Sequence, residues 1–94
     1  MRRYRLALGP DAADVIRALH PDLKRSIRSA LDALGHDPAI GEPLRGELEG
    51  LWRYRVRRFR IVYALDRPAR LIRVVAVGPR RSIYEELAEA RRQR

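Results

Sequence analysis

Residues 51–65 alternate with a period of two, and this alternation constrains the fold more than any other feature of the chain. Trp52, Tyr54 and Val56 are interleaved with Arg53, Arg55 and Arg57. Phe59, Ile61, Tyr63 and Leu65 are interleaved with Arg60, Val62 and Ala64. A period of two is strand geometry, because successive side chains in a strand point to opposite faces. Two such runs meeting at Arg57-Arg58 predict a β-hairpin with a tight turn there. The apolar parity places Trp52, Tyr54 and Tyr63 in the core. The other parity lines Arg53, Arg55 and Arg57 along an open face, and Arg60 joins them across the hairpin. Like charges opposed across strands repel. A face that tolerates this, in a segment with five arginines within residues 53–60, predicts an anionic ligand, and a nucleic-acid backbone is the natural one.

The remaining segments read as helices and strands around this hairpin. Tyr4, Leu6 and Leu8 alternate with polar or small residues, a short half-buried strand ended by Gly9-Pro10. Ala12, Val15, Ile16 and Leu19 recur at helical spacing, and so do Leu23, Ile27, Leu31 and Leu34. His20-Pro21-Asp22 separates the two helices, since proline suits a first helical turn and not an interior. The glycines and prolines between residues 35 and 50 predict a connecting loop. Leu71–Val77 is β-branched and apolar on both faces, which predicts a central strand. After Gly78-Pro79, Ser82 and Glu85 have the spacing of a capping box that would open the last helix. Ile83, Leu87 and Ala90 would face inward on that helix, and Arg91, Arg92 and Arg94 suit its negative end. The predicted order is β-α-α-β-β-β-α. It describes one α+β domain over residues 1–94, a small antiparallel sheet on an N-terminal helical hairpin with a C-terminal helix.

Charge and composition narrow the function classes. Lys+Arg 21 against Asp+Glu 12 leaves +9, and Lys24 is the sole lysine. Residues 1–47 carry 8 cations and 7 acids, whereas residues 48–94 carry 13 and 5, so the basic surface belongs to the second half. Such a balance points to a polyanion or an acidic protein as partner. There is no cysteine, which excludes disulfides, thiolate metal sites and a cysteine nucleophile. His20 and His36 are the two histidines; they form no metal-ligand pattern and read as structural. No cofactor is predicted. The absence of a long apolar run or a leader pattern predicts a soluble, cytoplasmic protein with no membrane partner.

Three segments in the second half resemble a known family. Leu51-Trp52-Arg53-Tyr54-Arg55-Val56, then Phe59-Arg60-Ile61-Val62-Tyr63, then Val77-Gly78-Pro79-Arg80-Arg81-Ser82-Ile83-Tyr84 are similar to the C-terminal half of the RelE/ParE toxin superfamily. Leu44-Arg45-Gly46 resembles that family's loop into its second strand. The resemblance implies a toxin of a type II toxin–antitoxin system, RelE-like, neutralised by a cognate antitoxin that is acidic or carries an acidic segment, in a hetero-oligomeric complex. RelE-like members cleave mRNA on the ribosome and inhibit translation; ParE-like members inhibit DNA gyrase. A catalytically inactive binding module of the same fold is a third possibility.

Carried over residue by residue, the resemblance makes Arg60, Arg80 and Tyr84 the candidate catalytic residues of a metal-independent endoribonuclease. Arg53, Arg55, Arg57, Arg58 and Arg81 become candidate RNA-binding residues. RNA brings its own nucleophile, the 2′-hydroxyl, so such an enzyme must chiefly align it and stabilise charge on the phosphate; a single well-placed donor can supply about 10²–10³ in rate. Relatives often carry lysine at the basic pair and histidine after the glycine of the Val-Gly turn. Here arginine stands at 53 and 55 and proline at 79, and arginine does not act as a base. Tyr84 would then have to be activated by neighbouring arginines.

Overall fold

The protein was described by a computed structural model covering residues 3–93, with the side chains of Arg80 and Arg81 outside the described residues. The chain runs β1 (Arg5–Leu8), α1 (Pro10–Ala18), α2 (Pro21–His36), a 3₁₀ turn (Pro38–Ile40), β2 (Glu42–Pro43), a second 3₁₀ turn (Gly46–Leu48), β3 (Leu51–Val56), β4 (Phe59–Asp66), β5 (Leu71–Pro79) and α3 (Arg80–Arg92). The five strands form one sheet in the order β1-β5-β4-β3-β2. The α+β class and the order of the main elements are those expected from the sequence.

The sheet differs from the expected antiparallel one at its first strand. β1 lies parallel to β5, pairing Arg5 with Leu71 through Leu8 with Val74. A parallel pair needs a long crossover, and α1, α2 and the β3–β4 hairpin together supply it. β2 is a further strand within the predicted loop, two residues long, pairing Glu42 with Arg53 and Pro43 with Trp52. β5 is an interior strand between β1 and β4, as its apolar run predicts, but Arg73 and Val75 on it are exposed. The β4–β5 register shifts between Val62 and Tyr63, so the alternation of faces is interrupted there.

Two apolar layers flank the sheet. On one face Val56, Ile61, Tyr63, Ile72, Val74 and Val77 pack against Ala12 and Ile16 of α1 and Ile27, Ala30 and Leu34 of α2. Trp52 and Tyr54 join this layer, and the Trp52 ring stacks near Tyr63 with centroids 6.3 Å apart. Tyr63 is fully buried, and its hydroxyl donates to the Pro38 carbonyl at 2.7 Å. Burial pushes the Tyr63 pKa up to about 12. The opposite face carries a smaller layer, with Leu51, Val62 and Ala76 beneath Ile83 of α3 and beside Leu48.

This second layer changes the meaning of the arginine face. The alternation alone leaves that face open; in the fold α3 roofs part of it. α3 also starts earlier than the capping-box spacing predicts. Pro79 is its N-cap, with extended φ −62 and ψ 151, and no side chain caps the end. Strand pairing runs to Pro79, opposite Phe59, so no loop residue remains between β5 and α3 and Ser82 falls inside the helix. Its far end is not simply solvated. Arg91 Nη1 donates to the carbonyls of Glu47 and Glu49 at 2.9 and 3.0 Å, and Arg92 Nη1 donates to Glu47 Oε2 at 2.6 Å. These bonds tie α3 to the turn that precedes β3. Arg94 lies outside the described residues.

Candidate nucleic-acid interface

The site is built on the face of β3 and β4 that α3 overhangs. Odd-numbered residues of β3 share this face with even-numbered residues of β4, so Arg53 and Arg55 stand beside Arg60. The ladder pairs Arg53 with Val62 and Arg55 with Arg60. Gly78 of β5 lies on the other side of Arg60. A β-carbon at Gly78 would come within 3.0 Å of Ile83 Cδ1, so the glycine lets α3 descend onto the sheet. That descent brings Tyr84 over Arg53.

Arg53 is half-buried, with a 28% exposed side chain. Its guanidinium is held above its ordinary pKa first by the Tyr84 hydroxyl, against the opposing effect of burial, and further by Glu42. Glu42 reaches it from the neighbouring strand at 3.6 Å. The Tyr84 hydroxyl and Arg53 Nε are nonetheless not aligned into a closed pair, for each atom is buried without a hydrogen-bond partner. Tyr84 itself is half-buried against the Leu48–Leu51–Val62 layer.

Arg60 departs from expectation. It lies on the predicted face but is buried, 5% exposed. Nη1 donates to the Phe59 carbonyl at 2.8 Å and the Arg57 carbonyl at 3.2 Å, so part of its guanidinium braces the hairpin turn. The physical reason is cross-strand repulsion: opposite the exposed Arg55, the second guanidinium lowers its energy by folding back onto carbonyl oxygens. Its Nε is left buried and unpartnered.

Among the described residues, the buried side-chain polar atoms without a partner are Arg53 Nε, Arg60 Nε and Tyr84 Oη. All three belong to residues singled out from the sequence. Buried polar groups are nearly always hydrogen-bonded, and orphans call for a ligand, a water or a functional role. Two cationic donors and a hydroxyl on one sheet face are matched to a phosphate and its bridging oxygens.

The other candidates are less concentrated. Arg55, Arg57 and Arg58 are exposed at the hairpin end, with Arg57 at a left-handed φ of 55 in the turn. Arg55 and Arg57 also line a separate cavity against α2. The backbone of residues 80–81 opens α3 immediately after the Gly78-Pro79 step, while the side chains expected to be catalytic at Arg80 and RNA-binding at Arg81 lie outside the described residues. His20 caps α2 through Nδ1, which accepts from the Asp22 N–H at 3.3 Å, the structural role expected of it. Sequence reasoning missed Arg91 and Arg92 as the tether of α3. Their partners lie 42–45 residues away, and no periodicity marks them. Arg25, Ser26 and Ser29 line the same cavity as Arg55 and Arg57 from α2, their spacing of one, three and four setting them on one side of that helix.

Among the described residues no helix is long and apolar enough to cross a membrane. Comparison with known proteins agrees with the fold. Residues 4–84 match the family model described as the ParE toxin of the type II toxin–antitoxin system parDE. No curated protein sequence matches the chain. Among solved structures, the toxin–antitoxin complex RelBE2 from Mycobacterium tuberculosis aligns at 26% identity and a TM-score of 0.77, covering 85% of this chain and 94% of that one. The isolated E. coli RelE toxin aligns at 23% identity and 0.72, covering 93% and 97%. A YoeB/ParE toxin from Agrobacterium tumefaciens aligns at 18% and 0.71, covering 81% and 98%. The chain belongs to the ParE toxin family of type II toxin–antitoxin systems, within the RelE/ParE superfamily.

Proposed function

We propose that this toxin is a ribosome-dependent mRNA endoribonuclease that inhibits translation. One observation carries the reading: the unpartnered Arg53 Nε, Arg60 Nε and Tyr84 Oη on a single roofed face. A phosphodiester placed there would satisfy the orphan donors. The 2′-oxygen of the RNA attacks the adjacent phosphorus, the bond to the 5′-oxygen breaks, and a cyclic phosphate and a free 5′-hydroxyl result. Arg53, held firmly cationic, stabilises the charge that builds on the phosphate oxygens. Tyr84 exchanges the proton with the reacting oxygens, and the exposed Arg55, Arg57 and Arg58 hold the strand. Arg80 and Arg81, singled out by the family resemblance, are the further candidates for catalysis and RNA contact in this reading. The +9 chain takes as its partner a cognate antitoxin with an acidic segment that covers this face.

A second reading is favoured by the family match itself, because ParE-type toxins poison gyrase. One experiment separates the two: primer extension on cellular mRNAs after a short induced pulse, with Tyr84→Phe and Arg80→Ala run in parallel. New 5′ ends within translated frames, lost in both variants, support the nuclease. Growth arrest with intact mRNA and accumulating DNA breaks supports gyrase inhibition and overturns the nuclease. No arrest at all leaves a binding module and overturns both.

A further inference from the structure

A groove lies on the far side of β3 from the candidate cutting face. It encloses about 500 Å³ between α2 and β3. Arg25, Ser26 and Ser29 line it from the helix, and Arg55 and Arg57 from the strand and its turn. The carboxylate on its wall, Asp22, is already engaged by Arg25. Ser26 donates to the Asp22 carbonyl over a long 3.3 Å, a bond that a stronger acceptor would displace. The Arg25 and Arg57 guanidiniums and two hydroxyls beside one neutralised acid, with the Arg55 backbone along the strand, make a donor-rich wall suited to phosphate oxygens.

The strand edge adds a further donor. Leu51 accepts from Leu44 N–H through the edge that faces β2. Peptide groups of a strand alternate sides, so those of Arg53 and Arg55 point the same way. The pairing of β2 ends at Arg53, which leaves the Arg55 peptide facing the groove without a strand partner. Beyond it the chain enters the turn at Arg57. One free peptide unit is too short an edge to template a strand, which disfavours an extended peptide and favours a ligand whose acceptors are single atoms.

We propose that the α2–β3 groove is a second phosphodiester-binding site, gripping the RNA backbone outside the cutting face. This rests on the RNA reading above and deepens it. Arg53 and Arg55 sit two residues apart, roughly 7 Å along the strand. Both side chains share the roofed face, and the Arg55 backbone borders the groove at the strand edge. A single strand running from Arg53 along Arg55 therefore reaches the hairpin end and passes over the β3 edge onto Arg57 and the α2 wall.

The test uses the whole protein and two uncleavable 2′-O-methyl RNAs, a trinucleotide and a dodecamer, with affinities read by fluorescence anisotropy across salt. In the combined variant Arg25→Gln, Ser26→Ala, Ser29→Ala, dodecamer affinity falls about tenfold. The slope of log affinity against log salt shallows by about 0.7 for each phosphate that the variant no longer neutralises. Trinucleotide affinity stays unchanged, because that probe is too short to leave the cutting face. These side chains lie on the surface of α2, and an unchanged circular dichroism melt verifies the fold. Unchanged dodecamer affinity and slope overturn the groove while leaving the RNA reading intact. Wild-type protein that binds neither RNA overturns the RNA reading and the groove with it. A glutamate-rich peptide that perturbs the amides of residues 22–29 and 54–57 while the dodecamer does not also overturns the groove as an RNA site.

Discussion

Arg55 stands directly opposite Arg60 in the β3–β4 ladder, yet Arg55 is exposed and Arg60 is buried against the carbonyls of Arg57 and Phe59. Two like charges in register would repel. The pair resolves this by assigning one guanidinium to the turn and leaving the other to solvent, so the two arginines have different expected phenotypes.

Arg60→Ala removes a charged donor from two carbonyls and empties a buried volume. Stability falls by about 2–3 kcal/mol, measured by urea unfolding. Arg55→Ala changes stability by less than about 0.5 kcal/mol, as exposed substitutions usually do. Equal effects of the two would contradict the buried geometry.

Tyr84→Phe deletes a hydroxyl that is buried without a partner. Thermal unfolding should stay level or rise slightly, since no hydrogen bond is removed. RNA cleavage should fall at least tenfold. A variant both less stable and fully active would show that the hydroxyl serves packing alone.

Tyr63 couples the fold to alkaline pH. Its pKa is raised from 10.0 to about 12 in the folded protein, so the folded state holds the phenolic proton more tightly than the unfolded chain. Its contribution to stability is complete below about pH 10 and is lost as pH rises from there toward about 12. Tyr63→Phe should flatten the stability profile in that window. At neutral pH the same variant should cost about 1–3 kcal/mol by leaving the buried Pro38 carbonyl unpaired. Urea midpoints at pH 8, 10 and 11 measure both effects.

Gly41 marks the closest approach between the Pro38–Ile40 turn and the sheet. A β-carbon there would collide with the Tyr63 hydroxyl and come within 2.6 Å of the Arg53 carbonyl. Gly41→Ala should destabilise by more than about 3 kcal/mol, the range of severe overpacking. It should also disturb Arg53, so a calorimetric melt and an RNA-binding assay should both register it.

Much of the molecule follows from local pattern. The parity of Trp52, Tyr54 and Tyr63 against Arg53, Arg55 and Arg60 assigns each side chain its face, because a pleated backbone can alternate in only one way. Leu23, Ile27, Leu31 and Leu34 mark the buried stripe of α2 for the same kind of reason, 3.6 residues to the turn. Arg57-Arg58 is legible as a turn because two alternating runs meet there.

What covers each face is not local. The arginine parity is visible at residues 53–60, but nothing in that segment says that α3, beginning twenty residues later, lies over Arg53 and places Tyr84 above it. Nor does β1 announce that it will lie parallel to β5, or Arg91 that it will bind carbonyls at Glu47 and Glu49. The order of residues was enough to set the elements, their buried stripes and the charge on one strand face. Docking of distant segments settled that this face is partly roofed, that Arg60 is turned inward and that Arg55 borders a second groove. Periodicity is a property of one backbone segment, whereas burial and neighbours depend on where the other segments come to rest, a choice made by the packing energy of the whole domain.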